Sequence, residues 1–321
     1  MLDGSWRADP APPEGEEPGA LDAILPFLLA SGSGALAWAR IRTEPRLAET
    51  GAGHALHDAF RHSAIDGSVR ERQIVEVVAR LRSAGVEPML VKGRAAAAAY
   101  AQPGLRPGGD IDLLLRPEDI EAGQSMMGEE IRLLQVDLKH EHLVPLADRA
   151  PLFARAGRLL LEGEAVCVPS PEDHLRLVCL HALAHGVARP VWLCDVAAWS
   201  EARAEELDWP LVLSEDAGTA RRVRVALGLA HVLLGMRLEG TPIEDEGRPP
   251  SWAVSSVLRR WGDSRNAIPK PAWETPRRLH PRMRAVADRW PPDPVFEEFR
   301  HGRSFTRWPR LPFHVIDAAR R

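Results

Sequence analysis

Apolar positions recur along the chain at spacings that fix local conformation. From Val69 to Ser83, Ile74, Val77, Val78 and Leu81 fall at helical spacing with charges on the other faces, which predicts a helix that packs on a sheet. Val86 to Val91 (VEPMLV) predicts a short buried strand, followed by Lys92-Gly93 and an alanine-rich helix through Tyr100. In Asp110-Ile-Asp-Leu-Leu-Leu115 the alternation of a strand turns Ile111 and Leu113 inward and places Asp110 and Asp112 together on the other side. Ser170-Pro-Glu-Asp173 predicts a helix start, with a serine cap, proline at the first helical position and acids in the first turn. Helices then continue through Gly235, broken near Arg189-Pro190 and Trp209-Pro210. Met1 to about Gly19, rich in charge, Pro and Gly, is expected to be disordered.

Composition narrows the class. With 321 residues and 45% hydrophobic content, the chain can bury a sizeable core and exceeds one domain. It has no apolar run near the roughly 20 residues of a membrane span, and its acidic, proline-rich start is unlike a secretory signal. The expected location is cytoplasmic. Cys167, Cys179 and Cys194 lack a C-x-x-C spacing and fit reduced, buried thiols. Charge is uneven: residues 248–321 carry 16 Lys/Arg against 7 Asp/Glu, so a formal +9 arm faces a body of −13. That arm, interleaved with Trp261, Trp273, Trp290 and Trp308, either covers the acidic body or draws in nucleic acid. Covering the body is favoured, because several tryptophans are costly to expose together.

The chemistry sits at Asp110 and Asp112. Two carboxylates on one strand face repel unless a cation neutralises them, and hard oxygen ligands suit Mg²⁺ or Mn²⁺ bound with nucleotide phosphates. Gly93 allows close backbone approach, Lys92 offers charge to a phosphate, and a turn-rich loop brings Arg106 near Asp110.

The series Lys92-Gly93, a helix ending in Tyr100, then Pro103-x-x-Arg106-x-x-x-Asp110-Ile-Asp-Leu-Leu-Leu-Arg-x-Glu-Asp119 resembles a bacterial family of largely uncharacterised nucleotidyltransferases in the DNA polymerase β-like superfamily. The resemblance returns in Val136-Asp137-Leu138, in Pro171-Glu-Asp-His-Leu, in His181-Ala-Leu-Ala-His185 and in Trp192-Leu-Cys-Asp195. It implies an α+β fold: a small mixed sheet carrying the Asp-x-Asp strand, a third acid on a neighbouring strand, and helical regions on either side. Asp137, in the strand-like run Ile131 to Leu138, is the candidate for that third acid. On this reading residues 20–84 form an N-terminal helical region, 85–169 the catalytic core, 170–240 a helical acceptor region and 241–321 the basic arm.

Asp110, Asp112 and Asp137 are the expected catalytic and metal-binding residues, with Lys92, Gly93 and Arg106 on the nucleotide. His181 and His185, four apart and so on one helix face, are expected at the acceptor site or in the core. Asp195, in the apolar run Val191 to Val196, needs a partner if buried, and one of those histidines is the natural candidate. The leading function is Mg²⁺-dependent transfer of a nucleoside monophosphate from an NTP to a hydroxyl or phosphate of an unspecified small-molecule or peptide acceptor. The alternatives are a nucleotide-binding partner protein that keeps the fold without turnover, and a nucleic-acid-binding module worked by the basic arm.

Overall fold

The computed structural model describes residues 1–128, 134–138, 149–213, 216–239, 241–244, 248–262, 293–302 and 305. The N-terminal helices are α1 (Pro18–Ala30), α2 (Gly34–Ile41), α3 (Pro45–Ala48) and the long α4 (Gly51–Ser83). Thr50 starts α4, its hydroxyl accepting from the Gly53 amide at 3.0 Å. Next come strand β1 (Met89–Leu90), the short α5 (Gly93–Ala96), β2 (Ile111–Leu114), α6 (Ile120–Met127), β3 (Val136–Asp137), α7 (Arg149–Ala154), and the hairpin β4 (Gly157–Leu161) and β5 (Glu164–Val168). A helical region follows: α8 (Pro171–Ala184), α9 (Pro190–Ala202), α10 (Trp209–Leu213), α11 (Ala217–Leu234), α12 (Ser251–Gly262) and α13 (Pro294–Arg300). The predicted cap of α8 is present, with Ser170 Oγ accepting from the Asp173 amide at 3.2 Å.

The five strands form one mixed sheet in the order β3-β2-β1-β5-β4. β2 runs antiparallel to β1 and parallel to β3, and β1 runs parallel to β5. Alternation along the strands gives the sheet two different faces. Leu90, Ile111, Leu113 and Val136 pack with Ile74, Val77, Val78 and Leu81, so the C-terminal half of α4 covers one face as its apolar spacing predicts. Met89, Val91 and Leu114 point the other way, onto Leu152 and Phe153 of α7 and Leu177, Leu180 and Ala184 of α8. Asp112 shares parity with Leu114, so its side chain leaves the sheet on the side of the helical region. A third and larger core joins α1, α2 and the start of α4 to α8, α9 and α11.

Two terminal segments differ from expectation or escape it. The first residues, expected to be disordered up to Gly19, have no regular helix before Pro18 yet are docked: Leu2 and Trp6 are buried in the helical core, and Trp6 Nε1 donates to Glu201 at 3.1 Å. Two apolar anchors thus dock a segment whose composition is otherwise polar. In the basic arm, Ala253, Val257, Val295 and Phe305 are buried, Trp261 Nε1 donates to Val187 O at 2.8 Å, and Arg260 pairs with Asp293 of the same arm. Trp273, Trp290 and Trp308 lie outside the described residues. Among the described residues no helix is long and apolar enough to cross a membrane.

Candidate active site

The site begins where β1 ends. Val91 N donates to Asp112 O at 2.9 Å, so the turn that follows β1 lies beside the start of β2. Lys92 makes that turn at φ 54 and ψ −147, a backbone state nearly reserved for glycine, and Gly93 follows at φ 35. Such strain costs on the order of 1–3 kcal/mol and persists where the surroundings over-determine it. Here the Lys92 side chain is buried and its Nζ lies 2.8 Å from Asp112 Oδ1. At Gly93 a Cβ would stand 3.5 Å from Asp110 O and 3.7 Å from Asp112 Oδ2, filling the space before the acid strand. The glycine therefore serves both the turn and the open approach.

The parallel pairing of β2 with β3 sets Asp112 directly beside Asp137, with Ile111 beside Val136. Residues aligned in adjacent strands project to the same face, so the two carboxylates are neighbours on the side of the sheet facing the helical region. Burial pushes the Asp112 carboxyl above the usual range; Lys92 opposes that shift and Asp137 adds to it. Asp110 precedes the strand and is exposed. Among the described residues no three His, Cys, Asp or Glu side chains are gathered as a metal-binding group. What the fold brings together is thus a carboxylate pair and an ammonium, with Asp110 at the rim.

Arg106 sits deeper than a free phosphate ligand would. Its Nε and Nη2 donate to Asp195 Oδ1 and Oδ2 at 3.2 and 2.9 Å, and Nη1 donates to Pro107 O at 3.0 Å. The phenol of Tyr100, the chain's one tyrosine, donates to Asp195 Oδ1 at 2.7 Å. Burial disfavours the Arg106 charge, but Asp195 outweighs it and raises the pKa above the ordinary arginine value. Burial and the Asp195 charge raise Tyr100 in the same direction, which keeps the phenol protonated as a donor. The expected histidine partner of Asp195 is thereby corrected: arginine and tyrosine satisfy the buried acid. Sequence left Tyr100 without a role, although a lone tyrosine followed by an arginine and matched by a buried acid was a usable signal.

His181 and His185 instead meet each other and Trp192, with ring centroids 4.6 Å apart between the histidines and 5.2 and 5.1 Å from the indole. His174 turns to Trp199, stacked at 4.3 Å. A separate small cleft, lined by Arg7, Trp38, Arg42, Phe60, Gln102 and Leu105, contains none of the acids.

The model of the family described as uncharacterised nucleotidyltransferase matches residues 22–235, from α1 to the C-cap of α11. No curated protein and no solved structure matches the chain. The match spans the Lys92-Gly93 turn, both acid strands and the helix that supplies Asp195, and on it this chain belongs to the uncharacterised nucleotidyltransferase family.

Proposed function

We propose that the protein transfers a nucleoside monophosphate from an NTP to a hydroxyl or phosphate of a small-molecule or peptide acceptor, with Mg²⁺ or Mn²⁺, at the site formed by Asp110, Asp112 and Asp137. The observation that carries this reading is the register that sets Asp112 beside Asp137 next to the buried Lys92. Carboxylate oxygens are the donor chemistry a hard divalent cation prefers, and Asp112 and Asp137, with Asp110 at the rim, would hold it. When bound, such a cation offsets charge on the polyphosphate.

The remaining roles fall to the chain itself. Lys92 offsets negative charge, first on Asp112 and then on the incoming phosphates. Gly93 keeps the approach to the acids clear of side chains. Asp137, set beside Asp112 by the parallel register, is the acid assigned to take a proton from the acceptor hydroxyl. The test is incubation with each labelled NTP, Mg²⁺ or Mn²⁺ and a metabolite extract. Asp112→Asn and Asp137→Asn should each lower label transfer at least about 100-fold, the scale expected of a general base or charge-stabilising group, in protein with an unchanged circular dichroism spectrum. Near wild-type transfer by either folded variant would remove the carboxylate pair from the reaction.

The Lys92–Asp112 ion pair favours a second reading, in which a built-in ammonium stands in for the metal and the protein binds nucleotide without turnover. That reading requires NTP binding that survives Asp112→Asn and yields no pyrophosphate. Nucleic-acid binding by the basic arm concerns residues that mostly lie outside those described.

A further inference from the structure

The geometry points to Asp195 as a positioning residue: through the buried cluster Asp195–Arg106–Tyr100, helix α9 holds two segments of the connection that leads from Lys92-Gly93 into the acid strand. This rests on the reading above that Asp110 and Asp112 lie at the reacting centre.

One held segment is the loop just before β2. Arg106 stands four residues before Asp110, and all three of its guanidinium nitrogens are engaged, two on Asp195 and one on the carbonyl of Pro107. A guanidinium held this way fixes where residues 107–110 leave the core and enter the strand. Its side chain is 10% exposed and that of Asp195 is 3% exposed, so the pair is screened from water and its planar, two-point geometry is kept. The other held segment is the one that follows Lys92-Gly93. Tyr100, which ends that segment, donates to the same carboxylate, and Trp199, one turn after Asp195 on α9, donates through Nε1 to Ala96 O at 3.1 Å. One helix face thus grips the chain at Ala96, Tyr100 and Arg106, three points along the connection that leads from Lys92-Gly93 to the acids. Charge alone would not need this arrangement. An arginine meant to meet a triphosphate would turn its fork of donors to solvent, whereas this one turns the Nε and Nη2 edge to Asp195.

The test separates holding from mere stability. Removing one member of a buried ion pair leaves an uncompensated charge, while replacing both with apolar groups of similar volume tends to restore the fold. The double variant Arg106→Met/Asp195→Leu is therefore compared with wild type by hydrogen exchange and, separately, by label transfer. The expected result is protection retained in α8 and α9, at least about tenfold faster exchange at amides 108–112, and kcat lowered with KM for the nucleotide unchanged. Wild-type exchange at 108–112 in a folded double variant would overturn the inference. So would a raised KM with kcat preserved, which would make Arg106 a direct nucleotide contact. If the double variant does not fold, Tyr100→Phe removes one hydrogen bond and leaves the ion pair; faster exchange at 96–100 and 108–112 supports the clamp, and unchanged exchange refutes it. Exchange needs no turnover, so faster exchange in a protein whose wild type transfers no label would leave the clamp standing and count against the proposed reaction alone.

Discussion

His174 enters the fold only as a neutral ring. It is 1% exposed, stacked on Trp199, and its Nε2 has no hydrogen-bond partner among the described residues. Burial, helped by the Arg106 charge, lowers its pKa from 6.5 to about 3. A depressed folded pKa gives stability that is complete above the unfolded value and declines below it. Between pH 6.5 and about 3 the unfolded chain takes up a proton that the fold refuses, so stability should fall by up to about 1.4 kcal/mol per pH unit from this residue alone. His174→Phe keeps an aromatic ring against Trp199 and should flatten that part of the curve, as read from urea midpoints at stepped pH. Equal slopes for variant and wild type would show that the ring is protonated in the fold. At this scale the acids were legible and their neighbours were not. Alternation along the strand sets Asp112 on the face opposite Ile111 and Leu113 from adjacent letters alone, while Asp110, expected on that face, lies just before the strand. The partner of Asp195 lies 89 and 95 positions away, and only tertiary packing selects Arg106 and Tyr100 over the nearer histidines.

Elements announced by local chemistry were readable, and those defined by pairing were less so. The serine cap, first-turn proline and acids of α8 act within one turn, so the sequence names its start. The apolar spacing from Ile74 to Leu81 likewise names the face of α4 that covers the sheet. The β4–β5 hairpin is not among the elements that apolar spacing predicts, although Glu162 and Gly163, at φ 47 and 85 between two apolar runs, make the two-residue turn that such a hairpin prefers. A less visible constraint sits at the corner of α3 and α4. A Cβ at Gly53 would collide with the carbonyl oxygens of Leu47 and Ala48, which are backbone atoms and cannot swing aside. Gly53→Ala should therefore destabilise the protein by about 1–3 kcal/mol despite the better helix propensity of alanine, with the urea midpoint lowered and its slope unchanged. A variant as stable as wild type would mean that α3 shifts freely against α4.

At the scale of the whole molecule, residues 1–7 act as a strap across helices distant in sequence. Gly4 N donates to Leu234 O at 3.3 Å, Trp6 O accepts from Ala101 N at 3.3 Å, and Arg40 donates to Asp3 O. Arg7 reaches Glu201 with Nε and Nη2 at 2.8 and 2.7 Å, and its Nη2 also donates to Gly235 O at 2.9 Å. The strap thus ties α2, the end of α9 and the end of α11 to the residue that follows Tyr100. It lies outside the stretch that matches the family, and composition alone argued for disorder because it counts polar residues and not where two apolar ones land. Burial of the Trp6 ring should make Trp6→Ala cost about 3–5 kcal/mol, most of it independent of pH. Glu201 behaves differently. Burial opposes its charge, but Arg7, the Arg237 amide and Trp6 outweigh that and hold its pKa below 4.5, so its contribution is present above 4.5 and is lost as pH falls through the lower folded value. Glu201→Gln should weaken the protein by about 1–2 kcal/mol at neutral pH, an estimate kept small because both side chains retain some exposure, and the gap to wild type should close in acid. Urea midpoints at pH 7 and at stepped values downward from pH 4.5 decide between the two behaviours. If Trp6→Ala moves the midpoint by less than the equivalent of about 0.5 kcal/mol, as a typical surface change does, the strap is only loosely laid on the body and the expectation of disorder up to Gly19 is restored.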